Sequence, residues 1–473
     1  LLLSLSFLLF LIVSNFLASK LIPRLEKAFS VTLIVLVLAC FNFDYFYHNL
    51  ISRNLVYFIE IFPPKILFCM MIFLIVCIML ILLKIQFIKN FLLFFCIFSL
   101  LIPLVQIFYK TLTDTVNEMQ FKERKILKFE DKEFQDNLSE NVYFILLDGY
   151  ASKKTFSRIS FDNEYFYNYL MGNNFIMLGD RAAYNTTYLA LTSIFNLDYP
   201  ILENSKRYQN RKNFFPYLLN SEEVPPLIKS FKELDYEFIL YGNSWSNCHP
   251  KHVICGSASN NASYPSWITY ESYIFFSKTI FSKFIKYDFD FDAIQRFANE
   301  NIQSITEKNS KFFFIHHLSP HPPYLSEDCQ TPKSKSFTNW EPVKDYISTV
   351  RCVNKALMDL VSSLNRKDPS AIIIIQSDHG PMTRSNWLSA ESENATIHID
   401  NRLSIINGIK IPEQCKNLLK DSMGPVNTAR FLVACINQTS PSYVEERSFV
   451  AVEEGDDDYG KVTEYFLPKN HYD

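Results

Sequence analysis

Apolar positions along this chain follow two regimes. Up to about residue 110 they form long unbroken runs, at about 2–18, 28–43, 66–83 and 91–108. Each run approaches the roughly 20 residues that a helix needs to cross a hydrocarbon core. None leaves a polar face for water, so the pattern predicts four membrane-spanning helices rather than buried core helices. Asp44 and Tyr45 close the second run early. Beyond residue 140 the apolar runs are short and end in polar residues: VYFILL (142–147), EFILY (237–241), KFFFIHH (311–317), AIIIIQ (371–376) and LSII (403–406). Between them, stretches such as VPPLIKSFKELDY and YISTVRCVNKALMDLVSSL have helical spacing. Continuous apolar strands alternating with helices predict a parallel sheet covered on both faces. The expected fold class is an N-terminal multi-pass α-helical membrane region followed by an α/β/α sandwich with a mostly parallel central sheet. The expected divisions are a transmembrane region at 1–110, a polar and charged stalk at 111–140, and an α/β domain at 141–473.

Basic residues orient the membrane part. The loop after the first span holds Lys20, Arg24 and Lys27, and the loop after the third holds Lys84 and Lys89. The longer loop between the second and third spans holds only Arg53 and Lys65, beside Glu60. Cytoplasmic loops are the basic ones, so the first and third loops lie inside and everything after Lys110 lies outside, in the periplasm or extracellular space. Leu1 is not a methionine, and an upstream helix would leave these loop charges unchanged.

A length of 473 residues suits two or three domains, and a net charge of −3 excludes a polycationic nucleic-acid binder. Six cysteines fall in the outer part: Cys248, Cys255, Cys329, Cys352, Cys415 and Cys435. An oxidising compartment lets them pair. Cys248 with Cys255 closes a short loop, and Cys329 with Cys352 ties the loop after a strand to the following helix. No CxxC pair is present, which argues against a structural zinc site.

Chemistry gathers at the strand ends. VYFILL runs into Asp148 and Gly149, KFFFIHH ends in His316 and His317, and AIIIIQ runs into Ser377, Asp378 and His379. In an open parallel sheet, ligands sit beyond the carboxyl ends of the strands. Two carboxylates and an imidazole meeting there make a divalent metal site, with hard oxygen and borderline nitrogen donors that suit zinc, manganese or magnesium. A nucleophile is sought in RAAYNTTYLALTSIFNLDYP (181–200), where Asn185, Thr186 and Thr187 precede helically spaced apolar residues. A helix start offers unpaired N–H groups to a tetrahedral anion, and a threonine there either caps the helix or attacks phosphorus or sulfur. In HHLSPHPPY (316–324), the rigid backbone around His321 holds the ring out in a loop, placed to bind a substrate oxyanion or to protonate a leaving group.

A strand ending in Asp-Gly, a threonine at a helix start, an HxPY-type loop and a strand ending in SDHG together resemble the alkaline phosphatase superfamily. The nearest branch is the membrane-anchored sulfatase-like one, with lipoteichoic acid synthases and phosphoethanolamine transferases. The resemblance covers about 141–435 by motif and the whole chain by layout. It implies that Asp148, Thr187, Asp378 and His379 bind the metal, that Thr187 is the nucleophile, and that His321 binds substrate. GPVNTARF (424–431) resembles a late family stretch of the form SPVNTFR, in which Asn427 and Arg430 support the fold or the site. The chain departs from dedicated sulfatases in lacking a C-x-P-x-R motif: Cys248-His-Pro-Lys-His252 has no arginine. It also carries Asp148 where the membrane transferases usually have glutamate.

The implied function is phospho-group transfer or hydrolysis through a covalent phosphothreonine at the outer face of the membrane. The expected partners are a lipid or lipid-linked phosphodiester donor and a glycan or water acceptor, with no nucleic acid. The alternatives are a sulfate or phosphate ester hydrolase of the same fold, and a catalytically degenerate envelope-assembly or binding protein.

Overall fold

The computed structural model of the chain describes residues 138–200, 214–215, 217–220, 223–242, 252–256, 293–305, 310–329, 340–383, 395–453 and 459–466. They all belong to one of the two units into which the chain divides, 122–262 with 288–473. The expected membrane spans and stalk, and Cys248, lie outside the described residues. Among the described residues, no helix is long and apolar enough to cross a membrane.

A seven-stranded sheet forms the centre. Its strands are β1 (Val142–Asp148), β2 (Ile176–Met177), β3 (Glu237–Tyr241), β4 (Ile254–Cys255), β5 (Lys311–Pro320), β6 (Ile372–Ser377) and β7 (Asn407–Lys410). They lie in the order β2-β7-β6-β1-β5-β3-β4. β1 runs parallel to β5 and β6, and β3 runs parallel to β5 and β4. β7 pairs antiparallel with β6 and β2. β1, β5 and β6 are apolar without interruption over Val142–Leu147, Phe312–Ile315 and Ile372–Ile375, because both of their faces are covered there. Val142, Phe144 and Leu146 point into one core with Phe312, Phe314, Ile372 and Ile374. Tyr143, Ile145 and Leu147 point into the other with Phe313, Ile315, Ile373 and Ile375. A side-chain period of two, buried on both sides, removes the polar alternation of a half-exposed strand.

Helices cover the two faces. On the Tyr143 side lie α1 (Lys153–Arg158), α2 (Glu164–Gly172), α5 (Ala293–Asn301) and the long α6 (Val343–Lys367), through Phe156, Phe166, Phe297 and Val353 among others. On the Phe144 side lie α3 (Thr187–Asn196), α4 (Pro226–Glu233) and α8 (Pro425–Ile436), through Phe195, Phe231 and Leu432. The remaining helix, α7 (Ala395–Leu403), leads into β7. A hairpin of β8 (Phe449–Glu453) and β9 (Tyr459–Glu464) packs Phe449 and Val462 against Tyr184, Leu189 and Val426.

The expected strand at 403–406 is displaced. Leu403 ends α7, Ser404 and Ile405 make only isolated bridges to Arg181 and Ala151, and the strand begins at Asn407. The apolar run serves to carry the chain across the sheet end. Because β7 is antiparallel to β6, its start rather than its end lies at the edge where β6 finishes, with Asn407 opposite Gln376. The Cys329–Cys352 disulfide forms as expected, tying the loop after β5 to α6. A further bridge, Cys415–Cys435, joins the turn before α8 to that helix. Cys255 is disulfide-bonded as well.

Candidate active site

Two neighbouring strands deliver the acidic and imidazole groups. Asp148 closes β1, and Asp378 and His379 follow β6 directly. The turn after β1 is held on several sides. Tyr150 N–H donates to Ser377 Oγ (3.0 Å), and Ser377 Oγ donates to the His379 carbonyl (2.6 Å). Tyr346 hydroxyl donates to the Gly149 carbonyl and accepts from Ala151 N–H, each at 3.0 Å. Gly149 has φ +76°, and a Cβ there would sit 2.7 Å from the Trp340 ring. No other residue combines that conformation with that approach. Gly380 is equally confined, because a Cβ would lie 2.1 Å from the Asn401 carbonyl oxygen.

Ligand atoms of Asp148, Asp378 and His379 all lie within 4.8 Å of one another, and all three residues are buried. His379 Nε2 is 3.3 Å from Asp378 Oδ2 and 3.7 Å from Asp148 Oδ1. Asp378 Oδ1 accepts from the N–H groups of Gly149 (3.1 Å) and His379 (2.8 Å). Asp378 Oδ2 and Asp148 Oδ1 are buried with no hydrogen-bond partner. Two bare carboxylate oxygens facing one imidazole nitrogen are costly to bury without a cation. His379 Nδ1 donates to the Gly380 carbonyl (3.0 Å), which leaves the lone pair on Nε2, the nitrogen beside the carboxylates. The donor set therefore fits a divalent cation.

Burial pushes the Asp148 carboxyl up to about 7, against the opposing pull of Arg402 and Thr187. Burial, with Asp148 beside it, pushes Asp378 up to about 8. Burial and the Arg402 charge hold His379 well below the usual imidazole range, in the neutral form that binds metals.

Thr187 completes the group. It is the first residue of α3, and its Oγ1 lies 3.0 Å from His379 Nε2. Thr186 occupies the N-cap position, but neither its side chain nor any other caps the helix, and its hydroxyl is buried without a partner. Of the two threonines, Thr187 is the one that reaches the acid–imidazole cluster.

His321 lies beside the centre. Its N–H donates to the Asp148 carbonyl (2.9 Å), and its ring meets Trp340 edge-on at 4.8 Å. Nδ1 donates to the Pro322 carbonyl (2.7 Å), so Nε2 is the nitrogen available to a substrate. Burial pushes the ring down to about 4, which makes it neutral at pH 7 and suits it to accepting a hydrogen bond rather than giving up a proton. The two strand-end histidines separate. His316 lies 3.9 Å from Asp148 Oδ2 and packs on Phe215, while His317 faces the side where Arg296 lies. Asn427 and Arg430 stand apart from the cluster and support the fold: Asn427 binds Val444 and Glu446, and Arg430 Nε donates to the Leu197 carbonyl at the end of α3.

Two residues of the site carry no signal in the sequence. Arg402, on α7, donates from Nη2 to His379 Nε2 (3.0 Å), from Nη1 to the Gly380 carbonyl (2.9 Å) and from Nε to the Asn185 carbonyl (2.9 Å). Trp340 is buried between the Arg402 guanidinium and the His321 ring.

A family model described as Sulfatase matches residues 164–405. The chain belongs to the sulfatase family. Thr187, His321, Asp378 and His379 fall inside the matched span, and Asp148 precedes it. This sulfatase-family chain is similar in structure to the C-terminal periplasmic domain of EcEptC from Escherichia coli, at 11% identity, 71% of this chain, 95% of that one and a TM-score of 0.44. It is also similar to the integral membrane protein lipooligosaccharide phosphoethanolamine transferase A (EptA) from Neisseria meningitidis, at 11% identity, 92% of this chain, 88% of that one and a TM-score of 0.42. No curated protein sequence matches it.

Proposed function

We propose that this sulfatase-family chain is a metal-dependent phospho-group transferase or hydrolase with Thr187 as its nucleophile. The observation that carries the reading is the position of Thr187 Oγ1, 3.0 Å from His379 Nε2 within the Asp148–Asp378–His379 cluster. Asp148, Thr187, Asp378 and His379 would hold the cation, which when bound lowers the pKa of the threonine hydroxyl and offsets charge on the transferred group.

The chain's own residues account for the remainder. Thr187 Oγ1 forms a bond to phosphorus as the bond from phosphorus to the leaving oxygen breaks, and the hydroxyl proton departs with the released alcohol. The first-turn N–H groups of α3 face the transferred anion, and His321 accepts a hydrogen bond from the substrate. A glycan hydroxyl or water then attacks phosphorus, the bond to Oγ1 breaks, and Oγ1 recovers its proton from the acceptor. The apolar runs before residue 110 support a donor held in the membrane, a lipid-linked phosphodiester met at the outer face. The absence of a C-x-P-x-R motif favours this threonine route over sulfate-ester hydrolysis.

Mass spectrometry of the chain after incubation with a lipid extract tests the reading. A phosphorus-containing adduct on Thr187, lost in Thr187→Ala together with all turnover, is the expected result. Turnover undiminished in Thr187→Ala overturns it. A folded chain that forms no adduct and retains no metal would instead be a binding or assembly protein of the envelope.

A further inference from the structure

We propose that Asn185 is a positioning residue, whose side-chain amide ties the start of α3 to the β8–β9 hairpin and so sets where Thr187 enters the site. The inference rests on the reading of Thr187 as nucleophile and names what holds that nucleophile in place.

α3 begins without the usual fixture. A helix start is commonly fixed by an N-cap side chain that accepts a hydrogen bond from the first turn. Thr186 occupies that position in extended geometry (φ −132°, ψ 141°) and makes no such bond. Thr187 follows at once as the first helical residue. A swing of the chain at 185–186 would therefore carry Thr187 Oγ1 away from its place 3.0 Å from His379 Nε2.

The constraint comes one residue before the cap. Residues 182–184 run alongside Ser448 and Phe449. Ser448 Oγ donates to the Ala182 carbonyl (2.8 Å), and Phe449 N–H donates to the Ala183 carbonyl (2.9 Å). Tyr184 stacks on Phe449 with ring centroids 5.2 Å apart, and the bridge between these two residues is parallel. Bonds in a parallel ladder are evenly spaced, and each strand advances two residues from one donor to the next. After Phe449 N–H on the Ala183 carbonyl, Ala451 N–H is due at the Asn185 carbonyl. That carbonyl instead accepts from Arg402 Nε (2.9 Å).

The Asn185 side chain takes its place. Oδ1 accepts from Ala451 N–H (2.8 Å), and Nδ2 donates to the Ala451 carbonyl (3.0 Å). One amide thus meets both backbone groups of one residue, and Asn185 is held by its carbonyl as well. The chain can leave extended geometry for the helix without losing its hold on β8. Only a primary amide carries the donor and the acceptor together on so short a stem: aspartate has acceptors alone, and glutamine is one methylene longer. Placement of this kind bears on rate, because a reacting group displaced by about 1 Å can cost on the order of 100-fold.

Two readouts on the full chain, loaded with zinc or manganese, test the proposal. One is amide hydrogen exchange followed by mass spectrometry. The other is the initial rate of adduct formation on Thr187 over a concentration series of lipid extract. Metal content and thermal midpoint are measured on the same samples. In Asn185→Ala, exchange should quicken in the peptides holding Ala451 and Ala190, whose N–H donates to the Thr186 carbonyl (2.9 Å). Peptides covering β1 and β6 should exchange as in the wild type. The rate at saturating extract should fall roughly 10- to 100-fold, with the half-saturating concentration and the metal content little changed. Asn185→Asp, which keeps the acceptor and loses the donor, should fall between the two. Wild-type exchange around Ala190 in Asn185→Ala overturns the proposal, as does a wild-type rate. So does exchange quickened equally in β1 and β6, because Asn185 would then be a general prop. Should Asn185→Ala fail to fold, Asn185→Asp decides: wild-type exchange and rate in that variant contradict a role for the paired bonds. A wild type that forms no adduct shows by itself that the nucleophile assignment fails, and exchange then judges the tie to β8 alone.

Discussion

Asp378 is fully buried, yet only one of its oxygens is hydrogen-bonded; the other faces His379 and the equally buried Asp148. Without a cation, burial drives both acids toward their protonated forms, Asp148 up to about 7 and Asp378 up to about 8. An unfolded aspartate titrates near 3.9. A raised folded value means the native state binds the proton more tightly than the unfolded one. The contribution to stability is therefore full below about pH 4 and lost as pH rises through about 7 to 8. A bound divalent cation reverses the balance by holding both groups ionised, and protons are released as it binds. The thermal shift on adding zinc or manganese should accordingly be larger at pH 8 than at pH 5, and calorimetry in buffers of different ionisation enthalpy should show proton release. An equal shift at both pH values would mean that these carboxylates are not the ligands.

At the scale of the element, the strands carry the site and the cores carry the strands. Ile374 of β6 is fully buried opposite Phe144 of β1 and Ile409 of β7, three residues before Ser377. Ile374→Ala should cost about 2–5 kcal/mol, measured by denaturant unfolding, and should impair the site only as far as β6 shifts. β1, β3, β5 and β6 were legible in the sequence because a strand buried on both faces is an unbroken apolar run that stops at a polar edge. The start of α3 was legible from small polar residues ahead of helically spaced apolar ones. β7 was not, because the run at 403–406 looks like a strand locally and only its place against Arg181 and Ala151 makes it a crossover. The two-residue strands β2 and β4 are too short to leave a periodicity. The β8–β9 hairpin has its apolar face set by Tyr184 and Val426, far away in the chain. That Asp148, Thr187, Asp378 and His379 come together could be read from the sequence because each ends or begins an element at the same sheet edge. Arg402 and Trp340 could not. Arg402 sits on a short helix whose pattern gives no reason to prefer it over Arg158 or Arg181. Those two instead bind Asp400, whose carboxyl burial would raise but whose bonds to Arg158 and Arg181 hold it below the usual range.

At the scale of the whole molecule, the core belongs to the sulfatase family, and the apolar runs before residue 110 are expected to anchor it in a membrane. From the loop charges, everything after Lys110 is expected on the outer side. The Cys329–Cys352 and Cys415–Cys435 disulfides accord with an oxidising compartment. A reporter active only outside the cytoplasm, fused after residue 473, should be active in cells, and the same reporter placed between residues 84 and 89 should be silent; the reverse pattern would invert the orientation. The central claim is that Asp148, Asp378 and His379, with Thr187 at their edge, form one cation site. Elemental analysis of the purified full chain after exposure to zinc or manganese tests it most directly. The account predicts a stoichiometric divalent ion that is lost from a folded Asp378→Asn variant. A folded wild-type chain that retains no ion, or an Asp378→Asn chain that retains it fully, would contradict the claim.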